Sequence, residues 1–223
     1  IGLTFGLSAS IWLVLFLQNE LTFDQHHANH ERVYRVSHIF SAPGVEFNTA
    51  YSASELSPML KEDFPEIEAF ARFQPLEVSE ILYNNQLLQQ TGMFYTDPEV
   101  FDVFSVNLLM GNESSALSNL RSAIISKTVA DKLFGNESAL DKTVKIDGVD
   151  MMITGVFEDL PKNTHFKFDV LISGADGRDW ANETGVFNSE VLWNADCANY
   201  LLFAEGTNIE NFEEKFAPFN EKY

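Results

Sequence analysis

The sequence predicts an α+β fold attached to a membrane-spanning helix. Three observations lead to this prediction: the chain opens with an uncharged apolar stretch, segments of alternating hydrophobicity follow, and amphipathic helical segments are mixed among them without strict alternation. The chain has 223 residues, 45% of them hydrophobic and 20 of them phenylalanine, which is enough to build a hydrophobic core.

The opening stretch, residues 1–17, carries no charged side chain. As a helix it would be about 25 Å long, slightly less than the hydrocarbon core of a bilayer, which is about 30 Å thick. Because the chain begins at Ile1 in the middle of this pattern, we expect the helix to be truncated at its start. We therefore predict a transmembrane helix over residues 1–18.

A cleaved signal peptide, a buried core helix and an interfacial helix are the alternatives for this stretch. A cleaved signal peptide would have a basic start and a small-residue cleavage site, but Gln18-Asn19-Glu20 follows the apolar run. A buried core helix or an interfacial helix would need a polar face. The few hydroxyl side chains of the stretch do not form one.

Small residues recur every fourth position within the predicted helix, at Gly2, Gly6 and Ser10. This spacing places them on one side of a helix, where a second membrane helix can approach closely. We predict a helix-packing face there. The alternative is that small residues are simply frequent in membrane helices.

The charge pattern suggests the side of the membrane and excludes some partners. No Lys or Arg occurs after the helix until Arg32, whereas cytoplasmic flanks are rich in these residues, so the following domain is predicted to lie outside the cytoplasm. A formal net charge of -19 argues against a nucleic-acid partner. The lone Cys197 cannot form an internal disulfide, which fits a reducing compartment or an exported bacterial domain.

Turn residues and hydrophobic periodicity divide the first half of the domain into helices and strands. The predicted elements are a helix over 25–31 capped by Asp24, strands over 33–40 and 45–50 joined at Pro43-Gly44, a serine-capped helix over 54–64 ended by Pro65, and strands over 67–73, 77–83 and 86–90 with a turn at Asn84-Asn85.

The same signals divide the second half. They predict a short helix opened by Asp97-Pro98, a strand over 123–125, a helix over 126–134 ended by Gly135, strands over 143–146 and 151–157 joined at Asp147-Gly148, a strand over 166–172, a loop over 173–194, a strand over 200–203 and a helix over 209–219.

Candidate chemistry is sparse. His26 and His30 are four residues apart, with His27 and Glu31 beside them, and a helix would place the first two on one face as zinc sites require. No third ligand follows at a recognisable spacing, so we interpret the cluster as solvated histidines. The stretch 135–143 differs from a phosphate loop by an extra residue and by Asp141, whose carboxylate would repel phosphate. We predict no catalytic, cofactor or metal site, and no enzyme activity.

Several stretches, in order, resemble one known family. They are Glu20 to Asp24 after the helix, then His27, Asn29 and Arg32 to Val36, LKEDFPEIE at 60–68, YTDPEVFDVFSVNLLMG at 95–111, SKTVADKLFG at 126–135, GVFEDLP at 155–161 and HFKFD at 165–169. Together they resemble the periplasmic core domain of MacB-type, FtsX-like ABC transporter permeases. The chain departs from the family where Asp141 precedes Lys142-Thr143, since members carry Gly there.

The resemblance implies a permease subunit of the bacterial inner membrane, with residues after about 19 in the periplasm. It implies two lobes, a porter-like lobe over about 25–80 and 196–223 and an inserted lobe over about 81–195, with a closing strand beyond Tyr223. It also implies that the chain itself holds no cofactor. The implied partners are a cytoplasmic ABC ATPase that handles ATP, a second permease domain in a homodimer or pseudo-dimer, and membrane lipid around the helix.

Two other classes of function remain open at this stage. One is a membrane-tethered sensor or ligand-binding domain with a single span. The other is a membrane-anchored hydrolase, which the absence of nucleophile and metal motifs disfavours.

Overall fold

The computed structural model describes residues 2–42, 44–76, 80–174, 197–216 and 218–219. Its helices are α1 (Gly2–Leu21), α2 (Leu56–Asp63), α3 (Val100–Val103), α4 (Glu113–Ala116), α5 (Lys127–Phe134) and α6 (Ile209–Glu213). Its strands are β1 (Val33–Val36), β2 (His38–Ala42), β3 (Val45–Thr49), β4 (Ile67–Pro75), β5 (Glu80–Tyr83), β6 (Gln86–Gln89), β7 (Met93–Thr96), β8 (Leu108–Gly111), β9 (Ser122–Ser126), β10 (Thr143–Ile146), β11 (Val149–Phe157), β12 (Val170–Ser173) and β13 (Ala198–Phe203).

Helix α1 is the predicted apolar helix, and it continues to Leu21, beyond the predicted end at residue 18. Its 20 residues correspond to about 30 Å, the thickness of a bilayer core. None of its side chains is buried against the rest of the chain, and Leu3 is 86% exposed. Among the described residues, α1 is the one helix long and apolar enough to cross a membrane.

The main sheet has eleven strands in the order β1-β13-β4-β7-β12-β9-β11-β10-β5-β6, with β8 paired to β11. The pairs β7–β12 and β9–β11 are parallel and the others are antiparallel, so the sheet is mixed, which is common among α+β folds. Strands from both predicted lobes hydrogen-bond within this one sheet, and the division into lobes stays a prediction.

The core lies on both faces of the sheet. On β13, Tyr200 and Leu202 face one cluster whereas Leu201 and Phe203 face another, as the two-residue period of a strand dictates. Phe73, fully buried on β4, is the centre of the first cluster. Its ring lies 4.6–6.0 Å, between centroids, from those of Phe94, Phe104, Phe166, Phe168 and Tyr200. This packing accounts for five of the 20 phenylalanines of the chain.

Two of the predicted turns are confirmed. Asn84 and Asn85 both have positive φ angles (47° and 64°), as do Asp147 and Gly148 (48° and 78°), which suits two-residue hairpin turns. At the start of α5 the Ser126 hydroxyl accepts a hydrogen bond from the N–H of Val129.

The predicted helix over 25–31 is wrong, because residues 22–32 form a series of turns. Asp24 does not cap a helix. Its φ of 59° is left-handed, and its carboxylate binds a loop far along the chain. The predicted serine cap of α2 is also wrong. Glu55 occupies the capping position without a side-chain hydrogen bond, and the buried hydroxyl of Ser54 has no hydrogen-bond partner.

Other boundaries differ from the prediction. The predicted strand over 33–40 is interrupted at Ser37, and the strand predicted from residue 166 begins at Val170. Helix α6 covers the first part of the predicted 209–219 helix. Strands β7 and β8 and helix α4 were not predicted. Most of the predicted loop over 173–194 lies outside the described residues.

Candidate functional site

The residues that directly follow α1 are hydrogen-bonded to the loop between β11 and β12. The N–H of Asp24 donates to the carbonyl of Asn163 at 3.0 Å, and the Asn163 side-chain amide donates to the carbonyl of Thr22 at 2.9 Å. We call the two segments Thr22–Asp24 and Asn163–His165 the junction. It ties the end of the membrane helix to the main sheet through reciprocal hydrogen bonds.

The Asp24 carboxylate is the centre of the junction. One oxygen accepts from the Thr164 hydroxyl at 2.9 Å and from the His165 N–H at 3.0 Å, and the other lies 2.7 Å from Nδ1 of His165. Burial by itself would raise the pKa of Asp24, but the hydrogen bonds from His165 and Thr164 hold that pKa below its ordinary value. The carboxylate is therefore ionised at neutral pH.

His165 extends these contacts into the core. A carboxylate can only accept, so Nδ1 of His165 carries the proton toward Asp24. In the neutral ring Nε2 then accepts from the Tyr200 hydroxyl, 2.9 Å away. Tyr200 is 2% exposed on β13, and burial raises its pKa to about 12. A tyrosine with this pKa stays protonated and donates. The row Asp24–His165–Tyr200 thus positions the helix exit against β13.

A second attachment joins the turns after α1 to α3. His27 is 5% exposed, and its Nδ1 accepts from the Ser105 N–H at 3.1 Å. The Ala28 N–H donates to the Ser105 hydroxyl at 2.9 Å, and the Asn29 amide donates to the carbonyl of Asp102. Burial and the neighbouring His26 ring, with centroids 3.8 Å apart, lower the pKa of His27 to about 4. His27 is therefore neutral at neutral pH.

A third attachment is made by Arg32. Its guanidinium donates to the Glu68 carboxylate and to the carbonyl of Phe203, each at 2.8 Å, and to the Asn29 side chain. These contacts hold the start of β1 against β4 and the end of β13. The segment that follows α1 is therefore fixed to the domain at three separate places.

A cavity of about 210 Å³ lies between these attachments. Its lining includes Asp24, His27, His30, Arg35, His165 and Tyr200. Apolar groups, among them Val33 and Phe104, form the rest of its wall. The volume suits a few water molecules better than the drug-sized ligands that occupy larger pockets.

The structure places the predicted packing residues on the exposed surface of α1. A Cβ atom added to Gly2 or Gly6 would meet nothing within 4 Å, and the Ser10 hydroxyl donates to the carbonyl of Gly6 at 2.9 Å. The face is thus open to a second helix. Whether one packs there stays a prediction.

The interpretation of the histidine cluster as solvated is wrong for two of its members, since His27 is 5% exposed and both ring nitrogens of His26 are buried without a hydrogen-bond partner. His27 is bound to the Ser105 segment, whereas His30 is largely exposed. Among the described residues, no group of three or more His, Cys, Asp or Glu side chains is arranged to hold a metal ion.

Sequence reasoning missed the junction itself. In the sequence His165 belongs to the stretch HFKFD that carries the family resemblance, and no pattern singles out Asn163 or Thr164. Asp24 carried no local signal, because water can satisfy an acidic side chain at the surface without any partner in the protein. Its partners lie 140 and 141 residues away, a distance that no periodicity bridges.

The structure is an α+β domain joined through the junction to a helix that is long and apolar enough to cross a membrane. The family model of the MacB-like periplasmic core domain matches residues 1–218, and the chain belongs to this family. These are periplasmic domains of ABC transporter permeases, a class of transport protein and not of typical enzymes. No curated protein matches the chain in sequence.

Solved structures agree with this fold. A domain that its structure describes as part of a permease, from Porphyromonas gingivalis, superposes with a TM-score of 0.72 at 23% sequence identity. The superposition covers 88% of this chain and 83% of the Porphyromonas gingivalis chain. The periplasmic region of MacB from Actinobacillus actinomycetemcomitans gives 0.59 at 13% identity, covering 77% and 73%. The extracellular domain of the noncanonic ABC-type transporter YknZ from Gram-positive bacteria gives 0.52 at 18% identity, covering 74% and 79%.

Proposed function

We propose that the chain is part of a permease subunit of an ABC transporter in the bacterial inner membrane, with the residues after α1 in the periplasm. In this proposal a cytoplasmic ATPase subunit binds and hydrolyses ATP. The permease transmits the resulting movement for export or mechanical signalling. Lipid surrounds α1, and two permease domains assemble.

The observation that carries the proposal is the junction. A helix that merely anchors a domain needs only a flexible linker, whereas here the first residues beyond α1 are bound to the loop before β12, to α3 and to β4. A displacement or rotation of α1 would therefore move the domain with it. Rigid attachment is what mechanical coupling requires.

The proposal assigns ATP to another chain. In the turn before β10, where the sequence superficially resembles a phosphate loop, Asp141 has a φ of 63° and Lys142 lies 3.1 Å from the Glu137 carboxylate. The lysine thus lies beside a carboxylate instead of an open phosphate-binding loop. This arrangement supports a structural role for the turn.

The test uses the full-length protein purified in detergent from bacterial membranes and returned to lipid nanodiscs. We expect an ATPase subunit to copurify. Spin labels at Leu87→Cys, a 56%-exposed position, should report a distance between two copies that changes when ATP and vanadate are added. Buried Cys197 is 1% exposed and should resist labelling. A protein that purifies without an ATPase, and whose label distance ignores nucleotide, would instead be a tethered sensor.

A further inference from the structure

Four of the five histidines of the chain lie where the chain leaves α1. His26, His27 and His30 are in the turns that follow the helix, and His165 is in the junction, whereas His38 is on β2. His27, His30 and His165 also line the cavity between the attachments. Histidine is the side chain whose ordinary pKa lies closest to neutral pH. The attachments of α1 therefore contain groups that mild acid can charge.

The contact between His27 and Ser105 requires a neutral ring. Nδ1 of His27 accepts from the Ser105 N–H at 3.1 Å, so this nitrogen must carry a lone pair. A protonated ring has an N–H group at both nitrogens, and two N–H groups would then face each other. The hydrogen bonds from Ala28 to the Ser105 hydroxyl and from Asn29 to the Asp102 carbonyl adjoin this contact. Protonation of His27 thus opposes the whole attachment to α3.

The surroundings of His27 also disfavour a charged ring. The ring centroid of His26 is 3.8 Å away, and both nitrogens of His26 are buried without a hydrogen-bond partner. On the side of α3 the ring meets the apolar Phe104, with centroids 5.0 Å apart. Burial, followed by the nearby His26, lowers the pKa of His27 to about 4. The titratable and charged side chains around the ring are Asp24, His26, His30, Arg35, His165 and Tyr200.

The junction responds to acid in the opposite way. A protonated His165 still donates from Nδ1 to the Asp24 carboxylate, and its positive charge strengthens that contact. The Tyr200 hydroxyl, 2.9 Å from Nε2, can turn and accept instead of donating. Hydrogen bonds from His165 and Thr164 hold the pKa of Asp24 below its ordinary value, so the carboxylate stays ionised in mild acid. Acid therefore weakens one attachment and preserves the other.

We propose that the attachment at Ser105 is a proton-operated release, in which acid detaches the turns after α1 from α3 while the junction keeps the helix bound to the main sheet. The adjoining cavity of about 210 Å³ gives the His27 ring room to turn away from Ser105. This regulation rests on the proposed function, because the attachment of α1 matters only if α1 moves the domain. In acid, a movement of α1 would act on the sheet through the junction and Arg32 and would no longer act on α3.

The test is hydrogen–deuterium exchange of the full-length protein in lipid nanodiscs, read by mass spectrometry at about pH 7.5 and about pH 5 and corrected for the intrinsic pH dependence of exchange. Protection of the Ser105 amide measures how often the attachment opens. We expect it to fall about thirtyfold, the factor by which a pKa of about 4 in the attached state and 6.5 in the released state favours release. The His165 amide, which donates to Asp24, should keep its protection within about twofold.

Two variants test which ring is responsible. His27→Gln keeps an amide oxygen that can accept from Ser105 and does not titrate, so protection of the Ser105 amide should be the same at both pH values. His26→Phe keeps an aromatic ring against His27 but removes the second cation, so the fall in protection should be smaller than in the unmodified protein. The comparison of the Ser105 and His165 amides needs no substitution, so it tests the release even if a variant fails to fold.

Unchanged protection of the Ser105 amide would overturn the inference. An equal fall at Ser105 and His165 would also overturn it, since the whole domain would then be loosening, as would an undiminished fall in folded His27→Gln. The outcome is separable from the transporter proposal. Copurification of an ATPase with unchanged Ser105 protection would refute the release alone, and selective loss of Ser105 protection in a protein that lacks an ATPase would refute the transporter proposal alone.

Discussion

Asp24 and His165 are separated by 141 positions in the sequence, yet the Asp24 carboxylate lies 2.7 Å from the imidazole Nδ1 of His165. This contact joins the exit of the membrane helix to a loop that leads into β12. Through Tyr200 it continues to β13. The strands β12 and β13 are fully buried, so a movement of α1 would reach the centre of the sheet through side chains that have little room to yield.

We expect Asp24→Asn to destabilise the domain by about 1–3 kcal/mol, since hydrogen bonds to a charged group contribute about that much and the amide cannot satisfy all three donors. Thermal unfolding of the detergent-solubilised full-length protein measures the effect. Asp131→Asn is the control, because its carboxylate forms an exposed pair with Lys127 on α5 and should cost about 0.5 kcal/mol or less. Similar losses in the two variants would show that the junction contributes no more than a surface ion pair.

The buried His27 should make stability depend on pH. Its pKa in the folded state, about 4, lies below its ordinary value of 6.5, so the unfolded chain binds more protons between these values. Stability from this group is therefore fully present above pH 6.5 and is lost as the pH falls toward 4. His26, whose pKa is also lowered by burial, contributes in the same direction.

The measurement is the melting temperature of the full-length protein at a series of pH values from 7 to about 4. His27→Gln should flatten the curve, because glutamine does not titrate and its amide oxygen can still accept from Ser105. An identical slope in His27→Gln would show that the burial of this ring does not govern the acid sensitivity.

The ion pair between Arg72 and Asp97 should be the most sensitive polar contact among the described residues. Three N–H groups of Arg72, from its backbone and its guanidinium, donate to the Asp97 carboxylate at 2.6–2.9 Å. The two side chains are 15% and 7% exposed. Asp97→Asn leaves a buried guanidinium without its counter-charge and should cost about 3–5 kcal/mol.

Chemical or thermal unfolding of the full-length protein checks this value. The matched control is Glu68→Gln, which removes the partner of Arg32 from a pair whose side chains are 30% and 47% exposed, and should cost under about 1 kcal/mol. If Asp97→Asn were as mild as the control, water would have to reach Arg72 in the folded state.

Gly6→Leu tests the predicted packing face of α1. If a second membrane helix approaches Gly2, Gly6 and Ser10, the leucine side chain would separate the two backbones and reduce assembly. Blue-native electrophoresis of the full-length protein should then show a smaller share of the assembled form. Leu7→Ile, at a 60%-exposed position next along the helix, is the control. Unchanged assembly in Gly6→Leu would refute the packing prediction.

Local signals in the sequence located many elements but not their ends. The turns at Asn84-Asn85 and Asp147-Gly148 were predicted correctly because each depends on residues that tolerate a left-handed backbone. The helix after Asp24 was predicted wrongly because an acidic residue before a polar segment resembles a cap. Its carboxylate instead bonds to Thr164 and His165, and these distant donors outweigh the local preference. Strands β7 and β8 were not predicted, because their own hydrophobic periodicity does not indicate a strand. They are strands because they pair with β12 and β11 in the sheet.

The sequence by itself determined the apolar helix, the mixture of helices and strands, and the family to which the chain belongs. These properties depend on composition and on residues close together in the chain. Only the tertiary structure decided that Asp24, His165 and Tyr200 form one hydrogen-bonded row, and that β2 and β3 stand apart from the sheet. The physical reason is that such contacts follow from how the strands are ordered in the sheet. That order is set by the burial of apolar surface summed over the whole chain, and no local pattern encodes it.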